Sequence, residues 1–394
     1  MYDVVVVGLG PAGATVAHKL VEKGFRVLAI DRKCFPRYKP CGGGVTAKVE
    51  KIIGGAFKEV VERDIYQIKF TFRGKDSIIV ESESPIAYLV MRDRFDNYLM
   101  EKARDAGVEV VEGEKVTGVK EENGIVKVVT RSGMYASRFA VGADGAGSVV
   151  ASSTGLNTSR RVAVLLDGEL EVEKTLLYQY DGCLYFDFGS IPYGYGWVFP
   201  KKDVLSVGVG GLRGRVKNIR RMYTDFLEDR KITGQVIGEK RYGSLLPVFD
   251  GASKLSTDHV LLIGDAAALA DPFTGEGIYY AVKSAIIASN VLEGVMGGDA
   301  GDASDIGLKE YDVRVAKEIC SELEYAKRLS MIFHFSPRRS YTFLKDNPEI
   351  VEAVLRLAKE ENSYSFLWKL IRKKAGIKLD AAWRISRFFS FFVE

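Results

Sequence analysis

Hydrophobic patterning divides the chain into three kinds of segment. Four consecutive valines, Val4 to Val7, bounded by Gly8, read as a strand buried on both faces, as in a parallel sheet. An Ala-rich stretch from Ala12 to Lys23 then reads as a helix that Gly24 ends, and Arg26 to Ile30 as a second buried strand. Between about Ile65 and Val90 the pattern turns to alternation, with Ile68, Phe70 and Phe72 set against Lys69, Thr71 and Arg73. That is the signature of antiparallel strands with one covered face. A helix follows from Met91–Asp96 to Ala106, with Phe95, Leu99, Met100 and Ala103 on its apolar side and Gly107 after it. Val108–Val111 reads as a strand, Ile125–Val129 with the strand after it as a hairpin, and Phe139–Val141 as a strand.

Residues from about 160 to 248 read as mostly strand, rich in aromatics and broken by glycine turns. His259–Ile263 is a further buried strand, and Ile278–Leu292 a helix. Gly294–Gly301 reads as an exposed loop, and the chain beyond it as helical, broken at Pro337 and Pro348. The expected fold is α/β, α+β overall. A Rossmann-like domain is assembled from residues 1–64, 88–158 and 252–300. An antiparallel-sheet substrate domain of residues 65–87 and 159–251 is inserted into it, and 301–394 form a helical C-terminal region.

The turns carry the chemistry. Gly8, Gly10 and Gly13 form G-x-G-x-x-G between strand and helix. The first permits the turn, the second admits a pyrophosphate close to the backbone, and the third lets helix and strand pack. Ala12 lies in the helix start that would face the phosphates. Asp31, with Arg32 after it, ends the second strand where a ribose hydroxyl needs an acceptor. Two more glycine-and-acid turns follow strands, Gly142 to Ser148 with Asp144 and Gly145, and Gly264-Asp265. The segment Asp271 to Gly277 then leads into a helix. Pro40-Cys41-Gly42-Gly43-Gly44 is too rich in proline and glycine for a long regular element and suits close approach to a flat ligand. Tyr195, Trp197 and Phe199 alternate along one strand and share a face, a stripe that by itself reads more readily as core than as site.

Composition adds exclusions. A net charge of +4, from 56 basic and 52 acidic residues, creates no global field that calls for nucleic acid. Cys34, Cys41, Cys183 and Cys320 have no metal-ligand spacing and suggest a reducing compartment, with all but Cys41 read as buried apolar groups. No apolar run is long enough to span a bilayer. A strand beginning at Tyr2 leaves no room for a signal peptide, so the expectation is a cytoplasmic protein with peripheral membrane contact left open.

The order of the three turns resembles the FAD-dependent p-hydroxybenzoate hydroxylase superfamily. The resemblance implies FAD held by Gly8, Gly10, Gly13 and Asp31. It also implies that Arg92 of the R-x-x-F-D helix contacts the cofactor, that Asp144 and Gly145 lie near its pyrophosphate, and that Gly264 and Asp265 hold its ribityl chain. Pro272, Gly275, Gly277 and Ile278 belong to the following segment. Within the superfamily, Pro40-Cys41-Gly42-Gly43-Gly44 and Pro192-x-x-Tyr195-x-Trp197-x-Phe199-Pro200, with Gly208 and Gly210 beyond, resemble the geranylgeranyl reductase family. That resemblance moves Tyr195, Trp197 and Phe199 from core to substrate wall. Ala268 stands where hydroxylases of the superfamily commonly carry histidine.

The implied activity is FAD-dependent saturation of double bonds in geranylgeranyl chains, most plausibly of archaeal membrane glycerophospholipid precursors. An isolated alkene has no carbonyl to take up negative charge, so protonation must assist hydride addition. Cys41 is the candidate proton donor by resemblance, its other reading being a space-filler beside the ring. Tyr195 and Trp197 could stabilise cationic character at carbon. Without a second G-x-G-x-x-G, the electron donor would bind transiently, as NAD(P)H or a ferredoxin. The aromatic tail from Trp383 to Phe392 reads either as an interfacial anchor or as a packed helix. Two other readings stay open, a flavin monooxygenase or halogenase, and a non-catalytic flavoprotein that carries electrons or binds lipid.

Overall fold

A computed structural model describes residues 1–156, 161–297 and 307–376. The valine run is the centre of a seven-stranded sheet. Tyr2–Val7 lies parallel to Val27–Ile30 on one side and to the end of Met134–Gly142 on the other. Glu109–Val111 extends the first side in parallel, and Val260–Leu262 runs parallel beside residues 140–142. The hairpin of Ile125–Thr130 with Met134–Gly142, and then Val116–Glu122, complete the sheet in antiparallel fashion. Val4, Val5 and Val6 are fully buried, with the helix Pro11–Glu22 packed against their strand.

The helix Pro11–Glu22 packs on this sheet at very close range. A Cβ at Gly13 would lie 1.8 Å from the Gly8 carbonyl oxygen, so no larger residue fits without moving helix or strand. Ile278–Gly297 lies against the same helix. It continues past the expected end at Leu292 and takes in part of the stretch read as a loop, because Val295 and Met296 pack on the core and sustain the apolar face.

The second sheet also has seven strands, ordered Val236–Val248, Arg161–Val172, Leu205–Leu212, Gly194–Pro200, Cys183–Phe188, Gln67–Phe72 and Lys75–Glu81. The 67–81 hairpin joins it, and Gln67–Phe72 pairs with Cys183–Phe188 in parallel, the one parallel strand pair of the sheet among the described residues. Two helices, Lys174–Gln179 and Ile219–Asp229, interrupt the region read as mostly strand. The second follows from Tyr223, Phe226 and Leu227, spaced to one helical face, which covers Leu166, Leu170, Val207 and Val209 on the back of the sheet. A three-stranded sheet of Gly44–Thr46, Ala87–Val90 and Val61–Ile65 bridges the two halves.

The C-terminal helices include Ser321–Phe335, Pro337–Lys345, Pro348–Ala358 and Tyr364–Ala375. Pro337 and Pro348 each sit in the first turn of a helix, where the missing N–H costs nothing. Residues 383–392 lie outside the described residues. Among the described residues no helix is long and apolar enough to cross a membrane.

Gly13→Ala should lower stability by about 2 kcal/mol or more through overpacking. Gly147→Ala, where a Cβ meets nothing within 4 Å, should change it little. Chemical denaturation of both variants checks the contrast.

Candidate active site

The G-x-G-x-x-G turn presents bare backbone. Gly8 has φ +95°, donates its N–H to the Ile30 carbonyl at 2.7 Å, and would bring a Cβ to 2.5 Å from the Ala143 oxygen. Gly10 caps the helix without a side-chain acceptor, and the first turn carries no acid. The orphan N–H groups of Ala12 and its neighbours therefore remain available to an anion. A Cβ at Gly10 would meet nothing nearer than Arg37 at 3.6 Å, and one at Gly145 nothing within 4 Å. This cradle is open where a diphosphate would lie.

Asp31 is buried beside it. Its Oδ2 accepts the Leu9 N–H at 2.9 Å and its Oδ1 the Lys33 N–H at 3.0 Å. Arg32 is exposed next to it. From Asp31 a chain of charges runs inward. Arg37 Nε lies 3.7 Å from Asp31 Oδ2, and its Nη1 donates to Asp96 Oδ2 at 3.1 Å. Asp96 in turn receives Arg92 through Nε at 2.8 Å and Nη2 at 2.9 Å. Arg92 and Asp96 are four apart on one helix, which explains the R-x-x-F-D spacing as a bidentate pair. Burial works against the Arg92 charge, but the paired Asp96 carboxylate, with a smaller contribution from Cys41, outweighs it and holds the guanidinium more firmly protonated than a free arginine. Arg37 escaped the sequence reading, since nothing in its proline-rich segment marks it as a bridge.

Asp144 has a local task. Its carboxylate accepts the Ser148 hydroxyl and the N–H groups of Val149 and Val150 at 2.6 and 3.2 Å, capping the helix Val149–Thr154. Burial raises its pKa, and these bonds only partly oppose the rise. Gly264, at φ +58°, donates its N–H to Ser284 Oγ at 3.1 Å. Asp265 accepts Lys39 Nζ at 3.0 Å, a partner the sequence gave no sign of. In the segment beyond, Asp271 is buried and accepts the Phe273 and Thr274 N–H groups at 2.7 and 3.1 Å and the Tyr364 hydroxyl. Burial pushes its pKa up against those bonds.

The Pro40–Gly44 loop is pressed onto the aromatic stripe. A Cβ at Gly42 would lie 2.8 Å from the Phe199 ring and 3.1 Å from Trp197 Nε1, and one at Gly43, φ +77°, 2.1 Å from the Val90 oxygen. Cys41 is half-buried, and its Sγ accepts the Gly43 N–H at 3.4 Å. Trp197 stands opposite Gly208 in the strand register, and Tyr195 opposite Gly210. A Cβ at Gly208 would lie 2.1 Å from the indole, so the second G-x-G is space for Trp197 to lie across the neighbouring strand. Trp197 is buried, and its Nε1–H has no acceptor among the described residues. Tyr195 donates its hydroxyl to the Thr274 carbonyl, which ties the stripe to the Asp271–Gly277 segment. Cys34 is exposed and not buried as expected, because it lies in the irregular loop after the second strand. Cys183 and Cys320 are buried, and burial pushes their thiols up to about 11 and about 12.

One cavity of about 1040 Å³ gathers most of these groups. Gly10, Ala12, Arg92, Gly145 and Asp265 line one part. Cys41, Gly42, Gly43, Gly44, Gly275, Gly277 and Ile278 follow, and then Tyr195, Trp197 and Phe199. Gly8, Gly13, Asp31, Arg32, Asp144, Gly264 and Pro272 are not on its wall. Beyond the stripe the cavity continues between the C-terminal helices, past Phe333, Phe343, Val351, Val354 and Leu367 to Ile371. The cavity thus has a second, apolar wall opposite the aromatic stripe. Ile350, Val351, Val354 and Leu357 repeat at helical spacing, a signal that marked an apolar face without saying what it would face.

A family model described as FAD binding domain matches residues 1–176. A digeranylgeranylglycerophospholipid reductase of Methanocella arvoryzae is 31% identical over 351 residues, 82% of this chain and 85% of the relative. The chain belongs to the geranylgeranyl reductase family. An uncharacterised protein of Methanosarcina barkeri is 32% identical over 291 residues, 74% of each chain. Among solved structures, a geranylgeranyl bacteriochlorophyll reductase-like protein of Thermoplasma acidophilum superposes with a TM-score of 0.76 at 24% identity, over 84% of this chain and 87% of that one. The flavin-dependent brominase Bmp2 superposes at 0.72 and 20% identity, over 95% and 98%. Like its family, the chain is an FAD-dependent oxidoreductase, and the uncapped helix start and the bare glycines at 10 and 145 fit that cofactor.

Gly208→Ala in this reductase-family protein should displace Trp197 and cost about 2 kcal/mol. Trp197→Phe in the same chain should recover part of that loss. A double-mutant cycle by denaturation, with near-ultraviolet circular dichroism following the indole, measures the coupling.

Proposed function

We propose that the protein saturates double bonds of geranylgeranyl chains, and that its substrates are archaeal membrane glycerophospholipid precursors. The observation that carries this reading is the continuity of the cavity. One space joins the glycine cradle to the Cys41 loop, and an apolar and aromatic channel leads on from it. A long hydrocarbon needs such a channel, and a small aromatic or polar substrate does not. The digeranylgeranylglycerophospholipid reductases among its relatives point the same way.

Bound FAD supplies hydride in its reduced form. The chain's own groups do the rest. The glycine cradle and the Cys41 loop fix the alkene's distance from the cofactor, which is the orientational part of the barrier. Cys41 Sγ donates the proton that the unactivated double bond requires. The Gly43 N–H, which donates to that sulfur, and the positive charge of Arg92, which couples to it, hold the negative charge left behind. Tyr195 and Trp197 offer ring faces to the carbon that becomes electron-poor. The apolar wall excludes water, which would otherwise trap such a carbon. Ala268 occupies a left-handed position, φ +53°, at the end of the Gly264–Ala267 turn and adds no titratable group. Electrons arrive through transient binding of NAD(P)H or a ferredoxin, and the lipid is taken up from the membrane surface.

The decisive experiment reduces the FAD-loaded protein anaerobically with dithionite and adds a geranylgeranylated lipid extract. Flavin reoxidation together with a mass gain of one hydrogen molecule per double bond is the expected result. Reoxidation only on admitting oxygen, with no saturated product, overturns the reading in favour of a monooxygenase. Retained FAD with no turnover under any donor points to a carrier or lipid-binding protein. Cys41→Ala should retain FAD and lose about 10²-fold in rate, the usual scale for a positioned acid. Full turnover in that variant assigns the proton elsewhere.

A further inference from the structure

Beneath the Cys41 loop the second sheet carries charge where its wall is otherwise apolar. Leu165 of Arg161–Val172 faces the cavity, and the next residues on that side of the strand are Asp167 and Glu169, 1% and 7% exposed. Lys201, at the end of Gly194–Pro200 and equally buried, donates to Glu169 Oε1 at 2.6 Å. The Tyr38 hydroxyl lies 3.5 Å from both Asp167 Oδ2 and Glu169 Oε1. The backbone N–H of Cys41 favours the ionised form of Asp167, and a Cβ at Gly43 would lie 3.3 Å from Lys201 Nζ, so the cluster sits directly under the loop. Glu169 Oε2 and Ser206 Oγ, on residues opposite each other in the strand register, are both buried without a hydrogen-bond partner among the described residues.

Two carboxyl groups and one ammonium cannot all be charged here without leaving a net negative charge in the interior, which is costly. A pair of acids in this position shares a proton. Burial and the neighbouring Glu169 push Asp167 up to about 7, against the pull of Lys201, the Cys41 N–H and the Tyr38 hydroxyl. The other groups facing it agree. Burial together with the two acids keeps Tyr38 protonated, and its ring packs 4.2 Å from that of Tyr242. Behind the sheet Tyr223 donates to Glu239, which Arg241 neutralises.

We propose that Asp167, with Glu169, Lys201 and Tyr38, stores one exchangeable proton under the Cys41 loop and returns it to Cys41 after each double bond is reduced. The inference rests on the reduction proposed above. Reducing one double bond takes one hydride and one proton, so a Cys41 thiol that has given its proton to carbon is left as a thiolate. In the return step an O–H bond of Asp167 breaks and the S–H bond of Cys41 forms. No electrons change hands, and Asp167 regains its proton from solvent. A cavity filled by lipid offers no water to do this directly. Asp167 acts through Cys41 and is a positioning residue, not a catalytic one. The orphan oxygens of Glu169 and Ser206 are placed to hold a water on the proton's way in.

The test has a readout that needs no lipid. Infrared difference spectra of the FAD-loaded protein should show the carbonyl band of a neutral carboxylic acid below about pH 7 that vanishes above it. The band should be absent in Asp167→Asn. In Glu169→Gln, where the like charge is gone, it should vanish at lower pH. Asparagine keeps an oxygen for the Cys41 N–H, so the loop should survive, and FAD retention checks that it does. In steady state the wild-type rate should fall as pH rises through about 7, and Asp167→Asn should be at least tenfold slower with no such inflection. Asp167→Glu should restore part of the rate. A band unchanged in Asp167→Asn, or no neutral acid at all, overturns the proton store. A correct band with an unaltered pH profile in Asp167→Asn overturns its use in turnover. Failure of the wild type to reduce lipid overturns the reductase reading and leaves the infrared result standing.

Discussion

The site depends on how closely a stretch of bare backbone approaches a wall of rings. Gly42 lies against Phe199 and Trp197, Gly43 against the Val90 carbonyl, and Trp197 in turn occupies the space that Gly208 vacates. Each contact is too short for a Cβ, so the glycines at the loop and on the strand are two halves of one steric requirement. Remove either and the loop lifts from the stripe. Everything else at the centre is placed relative to this contact, including Cys41 at the near end of the loop and Lys201 at the far end of the strand.

Electrostatics then orders the same region along a line. Asp31, Arg37, Asp96, Arg92 and Cys41 follow one another from the nucleotide turn to the loop. Arg92 and Asp96 are almost wholly buried, where an unpaired charge would be expensive, so each member needs the next. The line makes the nucleotide end and the reacting end mechanically continuous. A change at Arg37 would reach Arg92 through two ion pairs that both run through Asp96.

Much of this was legible in the sequence because the information is local. The valine run, the glycine turns and the acids ending strands each specify a conformation by their own sterics, and they fell where expected. The alternation of Tyr195, Trp197 and Phe199 gave a shared face. Only family resemblance, and then Gly208 and Gly210 across the strand, gave that face a purpose. What stayed hidden is what depends on distant pairing. Lys39 on Asp265, Lys48 on Glu276 and Tyr364 on Asp271 join residues more than ninety positions apart, and no spacing announces them. The helix Ile219–Asp229 was concealed by aromatics that read equally well as strand. Asp167 and Glu169 were passed over because, in an alternating strand, acids on alternate positions look like a solvated edge until a loop is seen to cover them.

Fold alone does not choose the chemistry, for a brominase and a reductase-like protein superpose on this chain almost equally well. The walls of the cavity discriminate. A reaction that builds positive character on carbon needs ring faces, exclusion of water and an acid that can be recharged in the dry. In the proposed reduction the stripe supplies the first, the C-terminal helices the second, and the charged cluster under the Cys41 loop the third. Its burial is costly to stability, and a purely structural strand would be better served by leucine at 167 and 169. That two acids and a lysine stand there instead, directly behind the loop that carries the thiol, is the strongest physical argument that the wall was shaped for proton-assisted reduction.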